Sequence, residues 1–233
     1  MRKLEVIVTS AAEAMVAAAA GADRLELVRD LNTGGLTPEL ETIREVIAAV
    51  GIPVRVMLRE NASMAVADAA ELKALQTKAA QMQALPIAAL PIGLVMGWVT
   101  NERTVDVSSL EAVLAHAVKC PVTFHRAFEH LADPLAGLLA LKSFPQIDKI
   151  LTNGGAGSWL ERKQRLRAWS DAAAPEIRIL VGGGLSNTEI ADLMADPQFP
   201  EVHVGRAART PQENDGVLDA QKIALLKTTR RVA

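Results

Sequence analysis

Pro121-Val122-Thr123-Phe124-His125-Arg126-Ala127-Phe128-Glu129 changes character halfway along. Val122, Thr123 and Phe124 suit a buried, pleated strand. His125 and Arg126 stand side by side where that strand should end. Asp133-Pro134 then reads as a helix N-cap with proline in the first helical turn. A strand that closes on an imidazole and a fixed cation, with a short link to a helix, is one βα unit with a candidate site at the C-terminal edge of its strand.

The same unit recurs on both sides. Upstream, strands are expected at Leu4–Val8, Arg24–Val28, Val54–Leu58 and Ile92–Met96. Downstream they fall at Asp148–Thr152, Ile177–Val181 and Glu201–Val204. Helices fill the gaps. Ser10 with Glu13, and Ser186 with Glu189, have capping-box spacing. Thr37-Pro38 opens a helix that ends at Gly51. Further helices are expected at Asp68–Met82, Val107–Val118, Pro134–Leu141, Ser158–Ala168 and Asp219–Leu226. The loop Arg59–Ala67 and the segment Leu85–Pro91 read as irregular. Eight strands alternating with helices imply a parallel sheet. In this length they fit an α/β fold with a single (β/α)8 TIM barrel, one domain over residues 1–233. An open doubly wound sheet is the alternative.

Composition narrows the function classes. Half of the 233 residues are hydrophobic, and net charge is −2. Nothing in that balance calls for nucleic acid or an anionic membrane as a partner. Glu5 and Glu13 interrupt the apolar N-terminal run, so it does not form a signal-peptide core, and no stretch is apolar enough to span a bilayer. The single cysteine, Cys120, allows neither an intramolecular disulfide nor a cysteine-rich metal cluster. A cytoplasmic location is expected.

Alternation along the strands places the helix-facing residues and the lumen. Val6, Val8, Leu25, Leu27, Val54, Val56, Val122, Val202 and Val204 face outward. The inward set then holds Glu5, Arg24, Glu26, Arg55, Arg59, His125 and His203. Charges so close must pair, as a structural network or as the support of a ligand site. Arg59, His125 and Arg126 lie at the C-terminal mouth, where such barrels place their sites. Glu5 and Arg55 lie deeper and read as structural. His125 is the candidate acid or base, Glu26 its orienting partner, and Arg59 and Arg126 the holders of an anionic group. Gly154-Gly155, Gly182-Gly183-Gly184 and Gly205-Arg206 follow three successive strands. Either they make tight turns, or the amides of Gly154, Gly155, Gly183, Gly184 and Gly205, with Arg206, bind an anion. Trp98 is placed to wall the mouth.

Several of these blocks resemble the CutC copper-homeostasis family: Leu4 to Ser10, Gly21 to Leu27, Gly34 to Pro38, Pro121 to Phe128, Leu151 to Gly155, and Gly182 to Gly184. The resemblance covers nearly the whole chain. It implies a cytoplasmic barrel, often a homo-oligomer, tied to copper tolerance or trafficking. Arg59-Glu60-Asn61-Ala62 departs from the Arg-Pro-Arg that the family tends to carry, and Leu90-Pro91-Ile92 departs from its Gly-Ala-Asp type of turn. Copper(I) takes thiolate, thioether and imidazole. The candidates here are Met57, Met96, His125, His203 and Cys120, with no Met-x-x-Met or Cys-x-x-Cys among them. A copper protein, an enzyme for a small, phosphorylated or carboxylated anion, and a binding protein without turnover all remain open on the sequence.

Overall fold

A computed structural model describes residues 2–85 and 92–228. Most of the segment Leu85–Pro91 therefore lies outside the described residues, including the Leu90-Pro91 departure. Eight strands close into a parallel barrel in chain order. They are β1 (Lys3–Val8), β2 (Arg24–Leu27), β3 (Val54–Met57), β4 (Gly93–Met96), β5 (Val122–Phe124), β6 (Ile147–Thr152), β7 (Arg178–Gly182) and β8 (Glu201–Val204). Pairing of β1 with both β2 and β8 closes the ring and excludes the open sheet. The outer layer is α1 (Ala11–Ala19), α2 (Leu40–Ala49), α3 (Ala69–Gln83), α4 (Val107–Leu114), α5 (Pro134–Lys142), α6 (Trp159–Ala173), α7 (Asn187–Ala195) and α8 (Ala220–Thr228).

The apolar core is the shell between sheet and helices. Val6, Val8, Leu25, Leu27, Val56 and Val202 are fully buried there, with Ile43 and Val46 of α2 against them. Each such side chain contributes roughly 1.5–3 kcal/mol through burial. Trp98 is in this shell, 1% exposed, and does not wall the mouth. The indole is too apolar to stand in water when a helix layer is there to cover it.

Local expectations hold in most places and fail in four. Ser186 with Glu189 makes the full reciprocal capping box. Ser10 accepts the Glu13 amide, but the Glu13 carboxylate turns to Thr9 and Arg209 instead of the Ser10 amide. Thr37 does not cap α2; its hydroxyl bonds both backbone groups of Arg59 and ties loop 2, between β2 and α2, to loop 3, between β3 and α3. Helix α4 stops at Leu114, not Val118, because the chain tightens into turns from His116 to Val113 and Ala117 to Leu114. Helix α6 continues past Ala168, carried by the buried Trp169 and Ala173. A hairpin unseen in the sequence, β9 (Arg209–Thr210) with β10 (Val217–Leu218), follows β8. Arg209 anchors it by two bonds to Glu13, at 2.6 and 2.8 Å.

Candidate functional site

The lower lumen is a charge network. Arg24 bridges Glu5 and Glu201, the latter at 2.7 Å. Glu201 also faces Lys149 at 3.5 Å, Lys149 faces Asp148 at 3.2 Å, and Asp148 accepts from Arg55 at 2.7 Å. Arg55 reaches across the barrel to Thr123. Gly93 makes room for it, since a Cβ there would sit 2.6 Å from the Arg55 side chain. Glu5, Arg24 and Arg55 are thus structural, and Lys149 and Glu201 join them. Alternation from His203 already puts Glu201 on the inner face.

Above this layer Glu5 also receives His203 Nδ1 at 2.8 Å, while His203 Nε2 lies 3.6 Å from Glu26. Burial pushes the Glu5 carboxyl up, but Arg24 and His203 outweigh it and hold it well below the usual range. Burial also opposes charge on His203, yet Glu26 and Glu5 raise its pKa. Glu26 has no such surplus of cations. Burial pushes it up to about 7 against the pull of His203, and Glu5 adds to the rise. Its second oxygen, Oε1, is buried without a hydrogen-bond partner among the described residues.

The mouth opens into a cavity of about 1030 Å³ that Glu26, Met57, His125 and His203 line from below. His125 is 3% exposed and its Nδ1 accepts the Ala127 amide at 3.1 Å. The ring proton therefore belongs on Nε2, which is buried and unpartnered. Burial, then Arg59, lowers the ring's pKa to about 3. Burial and the nearby cation thus favour the neutral ring, with its N–H on Nε2, at the residue read from the sequence as an acid or base. Glu26 does not orient it; the carboxylate faces His203 on the neighbouring side of the barrel.

The two arginines differ from expectation as well. Arg59 spends its donors on four backbone carbonyls, of Thr33, Gly34, Asn61 and Ala62, and so braces loops 2 and 3. Arg126 is paired with Glu129 at 2.7 Å and lies over Gly183. Glu129 was not singled out in the sequence, yet it organises this wall. Its Oε1 accepts the Asn153 amide at 2.7 Å and the Thr152 hydroxyl at 3.1 Å. Its place five residues past the strand, three after Arg126, is the only signal the chain offers.

The glycine turns separate into two kinds. The Gly154 amide donates to Thr152 Oγ1 and the Gly155 amide to Asn153 Oδ1, so both are spent inside the β6 turn, and neither lines the cavity. Gly183 and Gly184 hold φ of 98° and 74°, which a side chain would resist. Their amides donate to no other described residue, and both line the cavity with Gly205 and Arg206. The Arg206 guanidinium makes no bond to another described residue and comes within 3.3 Å of a Cβ position on Gly184. The glycine amides left without an acceptor among the described residues on the cavity wall are therefore those of the β7 turn, beside Arg206 after β8, and not those of the β6 turn.

The soft metal donors divide between two layers. Met57 lines the cavity, but Met96 and Cys120 are in the outer shell. Among the described residues no group of three His, Cys, Asp or Glu could hold a metal. His203 has both nitrogens facing carboxylates. That leaves Met57 and His125 as the soft donors on the cavity. No helix among the described residues is long and apolar enough to cross a membrane.

Comparison with known proteins places the chain. The CutC family profile matches residues 2–208. A CutC family protein of Xanthomonas axonopodis pv. citri is 33% identical over 223 residues, covering 93% of this chain and 90% of that one. The human copper homeostasis protein cutC homolog is 30% identical over 200 residues, 86% of this chain and 71% of that one. The crystal structure of a CutC protein of Streptococcus agalactiae superposes with a TM-score of 0.77 at 24% identity, over 88% of this chain and 98% of that one, which supports the barrel. The chain belongs to the CutC family.

Proposed function

We propose that this chain serves copper homeostasis, as the name of its human relative states for that protein, by acting on a small phosphorylated or carboxylated molecule at the barrel mouth rather than by holding copper itself. One observation carries the reading: the amides of Gly183 and Gly184 and the Arg206 guanidinium belong to residues that line the cavity together, and they have no partner among the described residues. Oriented amides beside a fixed cation are a general means of holding an oxyanion. Glu26 and His125, which also line the cavity, each have a buried polar atom that likewise lacks a partner among the described residues. The same reading keeps the chain in the cytoplasm as a homo-oligomer. The unpaired Cys120 suits the first, and the exposed Leu135, Leu139 and Leu160 on neighbouring helices suit the second.

Calorimetric titration with inorganic phosphate and with glycerol 1-phosphate tests the anion site. Saturable 1:1 binding is expected, weakened about tenfold by Arg206→Gln, the loss of one charge-assisted contact. Absence of binding by both anions would overturn the reading.

A further inference from the structure

Two residues that line the cavity each hold a buried polar atom, and the two atoms have opposite chemistry. Glu26 Oε1 is an unpartnered carboxyl oxygen on a side chain 2% exposed, and His125 Nε2 is an unpartnered N–H on a ring 3% exposed. Leaving such atoms buried and unsatisfied costs about 1–3 kcal/mol each. The Gly183–Gly184 amides and Arg206 wall the same cavity. We propose that Glu26 and His125 form an enolising pair: Glu26 removes a proton from a carbon next to a carbonyl, and His125 Nε2–H holds the carbonyl oxygen as it becomes an enolate.

This rests on the anion site proposed above, which would hold the far, phosphorylated or carboxylated end of the same compound. In the step, the C–H electrons form a C=C bond and the carbonyl π electrons move to oxygen. Glu26 becomes a neutral acid. Return of its proton to the same carbon completes solvent exchange or epimerisation, so no oxidant or co-reactant is required. The environment separates the two roles. Burial leaves Glu26 titrating near neutrality, where it can both take and return a proton, and keeps His125 neutral. The charged groups facing Glu26 are His203 of β8, Glu5 of β1 and Arg24 of its own strand. Arg55, opposite it on β3, turns instead to Asp148 and Thr123. Those facing His125 are Arg59, Arg126 and His130.

The test compares three probes by calorimetry at pH 8: inorganic phosphate, glycerol 1-phosphate and 2-phosphoglycolate, whose carboxylate mimics the planar enediolate. Phosphoglycolate should bind at least tenfold tighter than glycerol 1-phosphate. Its binding should take up about one proton, read from two buffers of different ionisation enthalpy. Glu26→Gln should abolish the proton uptake. His125→Phe should remove the tenfold preference. Equal binding of all three probes by the wild-type protein would overturn the enolising pair and leave the anion site standing. Binding of none would overturn the anion site and the pair together. The wild-type comparison decides the matter even if a variant fails to fold.

Discussion

Glu26 is a carboxyl placed where its charge is poorly met. His203 is 3.6 Å away and already donates to Glu5 at 2.8 Å. The linkage sign follows from its raised pKa. The folded state holds the Glu26 proton to a higher pH than the unfolded chain, so its contribution is present at low pH and is lost as pH rises from about 4.5 through about 7. His203, also raised, loses its contribution in the same direction, above the ordinary histidine range. Glu26→Gln should therefore stabilise the protein at pH 8 by roughly 1–3 kcal/mol and change little at pH 4.5. Urea unfolding at the two pH values measures this. An equal effect at both would show that Glu26 is ionised in the folded protein across the range.

At the scale of elements, the wall made by the turns after β5, β6 and β7 hangs on one side chain. Glu129 takes two donors from the β6 turn and two from Arg126, and Asn153 passes the connection on to the Gly183 carbonyl at 3.0 Å. Removing the carboxylate leaves the Asn153 amide and the Thr152 hydroxyl without their acceptor. Glu129→Ala is expected to cost about 2 kcal/mol and to loosen the anion site that rests on this wall. Thermal melts and the phosphate titration check both parts. Unchanged phosphate affinity would show that the β7 turn stands without the β6 turn. Loops 2 and 3 are held in the same manner by Arg59, whose contacts are all to backbone carbonyls. The carbonyls of Asn61 and Ala62, in the stretch after Arg59 that departs from Arg-Pro-Arg, serve as two of its acceptors.

At the scale of the molecule, the barrel sorts its soft donors into different layers. Strand alternation sends Met57 inward and Met96 outward, and Cys120 precedes β5 in the outer shell. Closing the ring cannot bring them to one metal. A copper(I) competition against a chelator of cytosolic strength should therefore show no stoichiometric withdrawal by the reduced protein. Tight 1:1 withdrawal would overturn the indirect role and direct attention to Met57 and His125, the soft donors on the cavity. The lower lumen has its own molecular role. Strands β1, β2, β3, β5, β6 and β8 are cross-linked through Glu5, Arg24, Arg55, Thr123, Lys149 and Glu201. Such a network is costly to break at one member, since the partner is left as an uncompensated buried charge.

The barrel was legible in the chain because its signals are local. Strand, cap and turn preferences act over a few residues, and alternation with a period of two assigns each side chain to the lumen or the shell without knowledge of its neighbours. By itself the sequence thus determined the alternation of eight strands with helices and the inward set from Glu5 to His203, while the pairing of β1 with β8 decided that the sheet closes. The pairing within that set was decided only by tertiary structure. Glu5 meets His203 across 198 positions, and Arg24 meets Glu201 across 177. Those long-range contacts leave Glu26 and His125 with unpartnered atoms and set their pKa values in opposite senses, because both depend on burial and on which charge stands nearest. The same holds for the glycine turns. All three carry glycines in the sequence, but only the folded backbone directs the amides of the β6 turn onto its own side chains and leaves those of Gly183 and Gly184 facing the cavity.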